Sequence, residues 1–345
     1  MTVTKPEYYD RFQCIAAACP DSCCKEWDVL VDPQAAAMYR LLPGELGDRL
    51  REVLQDDGED VVMLQSHGRC PMWRMDGLCR IQAELGAEAL CKVCREYPRL
   101  THDYGDFIEL GLELSCPEAA RLILQAHPAP CIVTRQQGEG IGEYDAEAMQ
   151  TLKHSRRIAL DLLSCFTPGE ALAALLVFGY QVQEALDGGE EEYDDPQTLL
   201  TQARSLARPG DPEGIFEFFL GLEILTDPWR QLLQKGCCNG VWREEHRAMA
   251  RYMVQRYWLQ AVSDYDLVGR VKLICVSCLL VKSLGGDTVR TAQLFSKEIE
   301  NDAQNIDDIL DGAYTAPQLA DVGLLGLLLG GSDPAHDNDT KRKGE

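Results

Sequence analysis

The sequence predicts an α+β protein: a cysteine-rich N-terminal domain with short strands around a metal centre, followed by a mostly α-helical domain. Three observations point there. Ten of the fifteen cysteines fall in the first 131 residues. Apolar runs of strand length and period occur in that same stretch. Beyond it, apolar residues recur at helical spacing. The predicted boundaries are a cluster-binding domain at 1–131, a helical domain at 132–330 and a polar, disordered tail at 331–345.

The elements can be justified in order. Trp27, Val29 and Val31 alternate with polar or exposed neighbours, as in a short strand. Asp32 before Pro33 reads as an N-cap with proline at the first helical position, and Pro43-Gly44 interrupts the helix that begins there. Val61 to Gln65 is a second run of strand length. Ile81 to Cys94 reads as a helix that ends before Pro98. Ile108, Leu110, Leu112 and Leu114 share one face at period 2, which makes Phe107 to Leu114 a third strand. Ser115-Cys116-Pro117-Glu118 has a capping-box pattern and opens a helix through Gln125. Gln136 to Tyr144 is glycine-rich and polar, a linker by composition. Thr167-Pro168-Gly169-Glu170 is a second capping box, before a helix over Leu172 to Ala185. Gly188 to Pro196 is an acidic loop, and Asp227-Pro228 opens another helix. Glu244 to Val262, Asp264 to Ser283 and Thr291 to Leu310 complete the helical part. No internal repeat of fixed period is present.

Composition narrows the function classes. Lys plus Arg is 33 and Asp plus Glu is 56, a net charge of −23. That opposes general nucleic-acid binding, which needs a basic surface to release counterions. It equally opposes docking on anionic lipid by charge alone. The opening MTVTKPEYYD has no apolar h-region, and the apolar stretch Val322 to Leu329 is far short of the ~20 residues that span a bilayer. A cytoplasmic location without a transmembrane segment is expected, with peripheral membrane association left open.

Cytosolic thiols stay reduced, so this cysteine density reads as a metal centre before a disulfide framework. The candidate ligands form three blocks: Cys14, Cys19, Cys23 and Cys24; then Cys70 and Cys79 with the Cys91-x2-Cys94 pair; then Cys116. Cys-x2-Cys turns tightly enough for both sulfurs to reach one metal. Zinc takes four closed ligands, often as two close pairs. Iron–sulfur clusters use four cysteines at less regular spacing, often with proline after a ligand. Proline follows Cys19, Cys70 and Cys116, against about 0.7 such steps expected from composition. It removes one backbone donor and leaves the next N–H groups free to point at sulfur. Spacing alone leaves iron–sulfur and zinc both open, with His67 and His102 as nearby zinc candidates or solvated side chains. At least four of the nine sulfurs are expected to converge within a few ångströms.

The segments Cys14 to Trp27 (CIAAACPDSCCKEW), Cys70 to Arg99 (CPMWRMDGLCRIQAELGAEALCKVCREYPR) and Leu114 to Leu122 (LSCPEAARL) resemble the flagellin lysine-N-methylase family, FliB-type proteins. So do Pro6 to Phe12 and Phe295 to Glu300. The similarity is specific in the first 125 residues and loose in the helical remainder. A broader group of cysteine-cluster proteins shares the double cysteine and the Cys-x2-Cys step. The resemblance implies methyl transfer from S-adenosylmethionine to lysine side chains of flagellin, and an oxygen-sensitive [4Fe–4S] cluster on the cysteine motif. The alternative is a non-catalytic metal-binding or redox-sensing protein with a zinc or iron–sulfur centre. A donor-sized cavity beside the cysteines, lined by aromatic and charged groups, would separate the two.

The donor-binding and catalytic residues are not legible. No G-x-G-x-x-G turn follows a strand, Gly138 to Gly142 lies in the linker, and the Cys-x3-Cys-x2-Cys spacing of radical S-adenosylmethionine enzymes is missing. Trp27 reads as a core aromatic or a shield for the centre. Arg95 and Arg99 read as surface or ion-pair residues, or as partners for a cofactor carboxylate or a thiolate cluster. Cys237-Cys238 reads as a buried turn, with a redox site as the alternative. Cys275, Cys278, Cys131 and Cys165 read as core thiols, and Lys153, Arg156 and Arg157 as one solvated helix face. The helical domain is expected to pack on the cysteine domain, with any donor or lysine pocket at their junction.

Overall fold

A computed structural model of the chain describes residues 1–125, 131–135, 140–236 and 240–330. The Cys237-Cys238 turn, the 331–345 tail and residues 136–139 of the linker lie outside the described residues. The fold is α+β, with small sheets in the cysteine-rich part and helices thereafter. It divides into two compact units. One comprises Met1–Asp103, Phe107–Leu122 and Ala129–Gly138; the other comprises Tyr104–Asp106, Ile123–Pro128 and Glu139–Glu345.

The first unit runs β1 (Thr2–Pro6), β2 (Val29–Leu30), α1 (Pro33–Leu41), α2 (Gly44–Val53), β3 (Leu54–Asp57), β4 (Asp60–Met63), α3 (Arg80–Leu85), α4 (Lys92–Glu96), β5 (Arg99–Asp103), β6 (Phe107–Leu112), α5 (Pro117–Leu124, its last two residues clustering with the other unit) and β7 (Cys131–Arg135). Four strands form one sheet in the order β5-β6-β1-β7. Within it β1 runs parallel to β6, with Val3 opposite Ile108, and antiparallel to β7. The other sheet, β2-β4-β3, is antiparallel, and its β3–β4 hairpin turns through Gly58 at φ 65°. A left-handed residue suits the tight hairpin turn.

This unit has a core of its own. Val29, Val31, Tyr39, Leu46, Leu50, Met63, Met72 and Ile81 pack together with Cys70 and Cys91, and Cys24 and Cys79 lie against the cluster. The sequence reading of Asp32 holds and extends. Its Oδ1 accepts the Ala35 N–H (3.0 Å) to cap α1, and its Oδ2 accepts the Lys92 N–H (2.7 Å) at the start of α4. The two N–H groups, Lys92 first, hold the Asp32 carboxyl below its usual range. One carboxylate thus ties the Cys91-x2-Cys94 step to α1. The expected single helix from Ile81 to Cys94 is broken instead. Gly86, at φ 90°, ends α3, a short 3-10 turn covers Ala87–Ala89, and Cys91 takes the N-cap position of α4. That break lets Cys79 and Cys91 each open a helix.

The second unit is helical: α6 (Ala146–Leu162), α7 (Pro168–Leu186), α8 (Pro196–Leu206), α9 (Pro212–Leu220), α10 (Asp227–Lys235), α11 (Glu244–Tyr257), α12 (Leu267–Leu284), α13 (Thr288–Phe295), α14 (Ala303–Thr315) and α15 (Asp321–Leu329). The Thr167–Glu170 capping box forms, with Glu170 Oε2 accepting both the Thr167 hydroxyl (2.7 Å) and its N–H (3.3 Å). The central α12 is buried along nearly its whole length, and Cys275 and Cys278 sit inside it as core thiols. Cys131 and Cys165 are exposed, contrary to the core reading. Cys131 starts an edge strand, and Cys165 sits in the turn that ends α6. Among the described residues no helix is long and apolar enough to cross a membrane.

The reading of Thr291 to Leu310 as one helix is also corrected. A π-turn at Ser296–Glu300 divides it, and all five of its residues are buried. Glu298 accepts the N–H groups of Leu225 (2.8 Å) and Thr226 (3.3 Å) together with the Thr226 hydroxyl, and so fastens the start of α10. Glu300 accepts from Tyr257 (2.8 Å) and Tyr252 (3.2 Å), with Arg256 at 3.5 Å. The two buried carboxylates are satisfied by backbone and hydroxyl donors and, at Glu300, by Arg256, which explains why this segment tolerates them.

Candidate metal centre

Seven of the nine candidate cysteines, Cys14, Cys19, Cys23, Cys24, Cys79, Cys94 and Cys116, line one cavity of about 680 Å³. The other two, Cys70 and Cys91, are buried in the core of this unit, with Cys24 and Cys79 packed against the same cluster. The blocks are drawn together by the backbone. Cys70 N–H donates to the Cys24 carbonyl (2.7 Å), and Lys25 bridges to Arg69. Trp73 bridges to Cys79 across the loop that joins Cys70 to α3. Cys116 sits at the start of α5, where its carbonyl accepts the Ala120 N–H (2.8 Å).

All three Cys-Pro turns act alike. In each the N–H two residues on, from Asp21, Met72 and Glu118, faces the sulfur of Cys19, Cys70 and Cys116 and favours its thiolate, although burial outweighs this at Cys19 and Cys116. Proline removes the competing donor between them. Cys79 and Cys91 hold N-cap positions, where Ile81 and Gln82, and Cys94, present N–H groups to them. Neither makes a well-aligned capping bond. Backbone donors aimed at sulfur stabilise thiolate, the form that binds metal.

The thiols also order one another. A hydrogen bond from Cys24 lowers Cys70, and one from Cys94 lowers Cys91 to about 7. Cys94 is raised by the same contact, and Cys23 by its bond to Cys24. Cys24 is lowered by the bond from Cys23, but its own donation to Cys70 and burial prevail and push it to about 12. Burial raises Cys19 and Cys79, and pushes Cys116 to about 12.

The convergence is looser than expected from the sequence. Among the described residues no group of three or more His, Cys, Asp or Glu stands at the spacing of a preformed metal site. Neither His67 nor His102 lines the cavity. The donor set is thus all sulfur, the chemistry that suits a cluster or a thiolate zinc site.

The remaining walls are aromatic and cationic. Trp27 lines the cavity, with its ring centroid 6.2 Å from that of Tyr97. Arg95 and Arg99 line it as well, and neither makes a salt bridge among the described residues. Arg99 instead lies over Phe12 (5.2 Å) and Tyr9 (5.8 Å). Sequence reading missed Trp73 and Tyr97, although both sit beside ligand candidates in the Cys70 to Arg99 segment. All the residues that line the cavity belong to the first unit. In the second unit Lys153 and Arg157 line a separate open cleft of about 530 Å³ with His154. Arg156 instead reaches the Gln255 carbonyl (3.5 Å).

No protein-family model and no solved structure matches the chain. Among curated proteins it is 34% identical over 137 residues to the flagellar biosynthetic protein FliU of Salmonella muenchen, which takes in 36% of this chain and 78% of FliU. The chain belongs to the FliU and lysine-N-methylase family. It is also 34% identical over 137 residues to the lysine-N-methylases of Salmonella typhimurium and Salmonella choleraesuis, covering 36% of this chain. It spans about a third of the length of those two family members.

Proposed function

We propose that the chain is a protein lysine N-methyltransferase that moves a methyl group from S-adenosylmethionine to lysine side chains of flagellin, dependent on a [4Fe–4S] cluster in the thiol cavity. The observation that carries this reading is the cavity itself. It joins seven cysteines to four aromatic residues, Trp27 and Tyr97 among them, and to two guanidinium groups that make no salt bridge among the described residues, in a volume of about 680 Å³. Small-molecule sites commonly have 300–1,000 Å³. A purely structural centre would be sealed, whereas Cys14, Cys23 and Cys94 are exposed.

Roles follow from position. Cys24, Cys70, Cys79 and Cys91, set in or against the core, are assigned as the ligands, and Cys14, Cys19, Cys23, Cys94 and Cys116 surround them. When bound, the cluster, held by four thiolates and so carrying net negative charge, would help to hold the sulfonium donor beside it. Trp27 and Tyr97 offer flat apolar faces to the adenine, and Arg95 and Arg99 offer charge to the methionine carboxylate. In the transfer the lysine Nζ first gives its ammonium proton to water, its freed lone pair then attacks the methyl carbon, the carbon–sulfur bond breaks, and S-adenosylhomocysteine leaves with the methylated Nζ carrying the positive charge. The acidic surface favours approach of a cationic lysine. The flagellin acceptor is supported by the relative named a flagellar biosynthetic protein.

The test is mass spectrometry of flagellin after incubation with reconstituted protein and methyl-labelled donor. Methyl-lysine in the product, lost with Arg95→Gln and Arg99→Gln together, supports the reading. Unmodified flagellin with an intact cluster refutes it.

A further inference from the structure

Trp73 has no part in the roles assigned above. It lies in the loop between Cys70 and Cys79, where its backbone N–H donates to the Cys70 carbonyl (2.9 Å). Its side chain lines the thiol cavity. Yet its indole Nε1 is buried without a hydrogen-bond partner among the described residues. A buried N–H normally has an acceptor, because desolvating it without one is unfavourable. The Arg69 guanidinium lies 4.1 Å from the ring centroid. A cation there steadies the ring and draws electron density from it, which makes the N–H a better donor.

We infer that Trp73 Nε1–H donates a hydrogen bond to a sulfur of the cysteine-held cluster and thereby sets its reduction potential. This rests on the cluster reading above. Both cysteines that flank Trp73 in the loop, Cys70 and Cys79, belong to the ligand set assigned there. A hydrogen bond to sulfur strengthens as the sulfur gains negative charge, so it favours the reduced state. Trp73 is a positioning residue: it touches the cluster's sulfur and not the methyl group. Reduction here is a one-electron step with dithionite as the electron source, and no bond to Trp73 forms or breaks.

The experiment compares wild type with Trp73→Phe, both anaerobically reconstituted, by redox titration followed by electron paramagnetic resonance. With iron and sulfide content equal, the ratio of reduced to oxidised cluster at a fixed potential should fall roughly tenfold in the variant, a shift of about 59 mV for a one-electron couple. Should Trp73→Phe lose its cluster, benzothienylalanine at position 73 keeps the bicyclic shape and lacks only the donor, and the same shift is expected. An unchanged potential in a fully loaded variant overturns the inference. So does an unchanged potential with weaker binding of labelled S-adenosylmethionine, which would give the N–H to the donor. If wild type itself takes up no iron and sulfide, the cluster reading fails, and the inference falls with it.

Discussion

His246 should make the stability of the helical unit fall with acid in a defined window. It is buried on α11 at 2% exposure, with Trp242 edge-on at 5.4 Å. Its Nδ1 accepts the Arg243 N–H (2.9 Å), a role that only the neutral ring fills. Burial lowers its pKa from 6.5 to about 4, and the nearby Arg243 and Lys282 cations act in the same direction. Above 6.5 the ring is neutral in both folded and unfolded chains, so nothing is lost. As pH falls from 6.5 to about 4 the unfolded chain takes up a proton that the folded one refuses, and stability declines by about 1.4 kcal/mol per unit. The total is about 3 kcal/mol, complete once pH passes below the folded value. His246→Asn keeps an acceptor at that position and cannot titrate. Urea unfolding followed by far-UV circular dichroism, from about pH 8 to pH 4, gives the difference between wild type and variant. That difference should be flat above about pH 7 and shrink or reverse by about 3 kcal/mol in acid. A difference that stays constant across the range would refute the reasoning.

Other outcomes are equally specific. Glu300→Leu leaves Arg256 without its carboxylate and two tyrosine hydroxyls without their acceptor, and should cost about 3–5 kcal/mol in thermal or urea unfolding. Gly169→Ala drives a Cβ into the Leu328 carbonyl and the Trp242 indole, and should cost about 1–3 kcal/mol by the same assay. Cys70→Ser and Cys91→Ser should abolish iron and sulfide uptake, while Cys275→Ala and Cys278→Ala should leave it unchanged and lower stability by about 1 kcal/mol. Limited proteolysis of cluster-free protein should cut before residue 131 and spare much of the helical part, and loading the cluster should suppress those cuts.

Much of this protein was legible because its signals are local. Asp32-Pro33, Thr167-Pro168-Gly169-Glu170 and Asp227-Pro228 each carry their helix start in two to four residues, and each start is observed. The three Cys-Pro steps announced turns in which a backbone N–H reaches sulfur, and the structure shows that arrangement at each. The features that stayed hidden depend on distant partners. The strands β1, β5 and β7 are short and half polar, and they exist through pairing with β6 or β1. The second capping bond of Asp32 spans sixty positions to Lys92. The π-turn at Ser296–Glu300 holds buried charges whose partners lie far off in sequence, Thr226 just before α10 and Tyr252 and Tyr257 on α11. Trp73 and Tyr97 join the site only once the Cys70 to Arg99 segment folds around the cavity.

The most direct test of a cluster-dependent methylase is transfer of labelled methyl from S-adenosylmethionine to flagellin lysines, measured in one preparation before and after the cluster is removed by oxygen and chelator. The account predicts label on lysine with about four iron and four sulfide per chain. It predicts loss of label on stripping and recovery on anaerobic reconstitution. Equal labelling by the loaded and stripped protein, or stoichiometric zinc without sulfide in the active form, would contradict it.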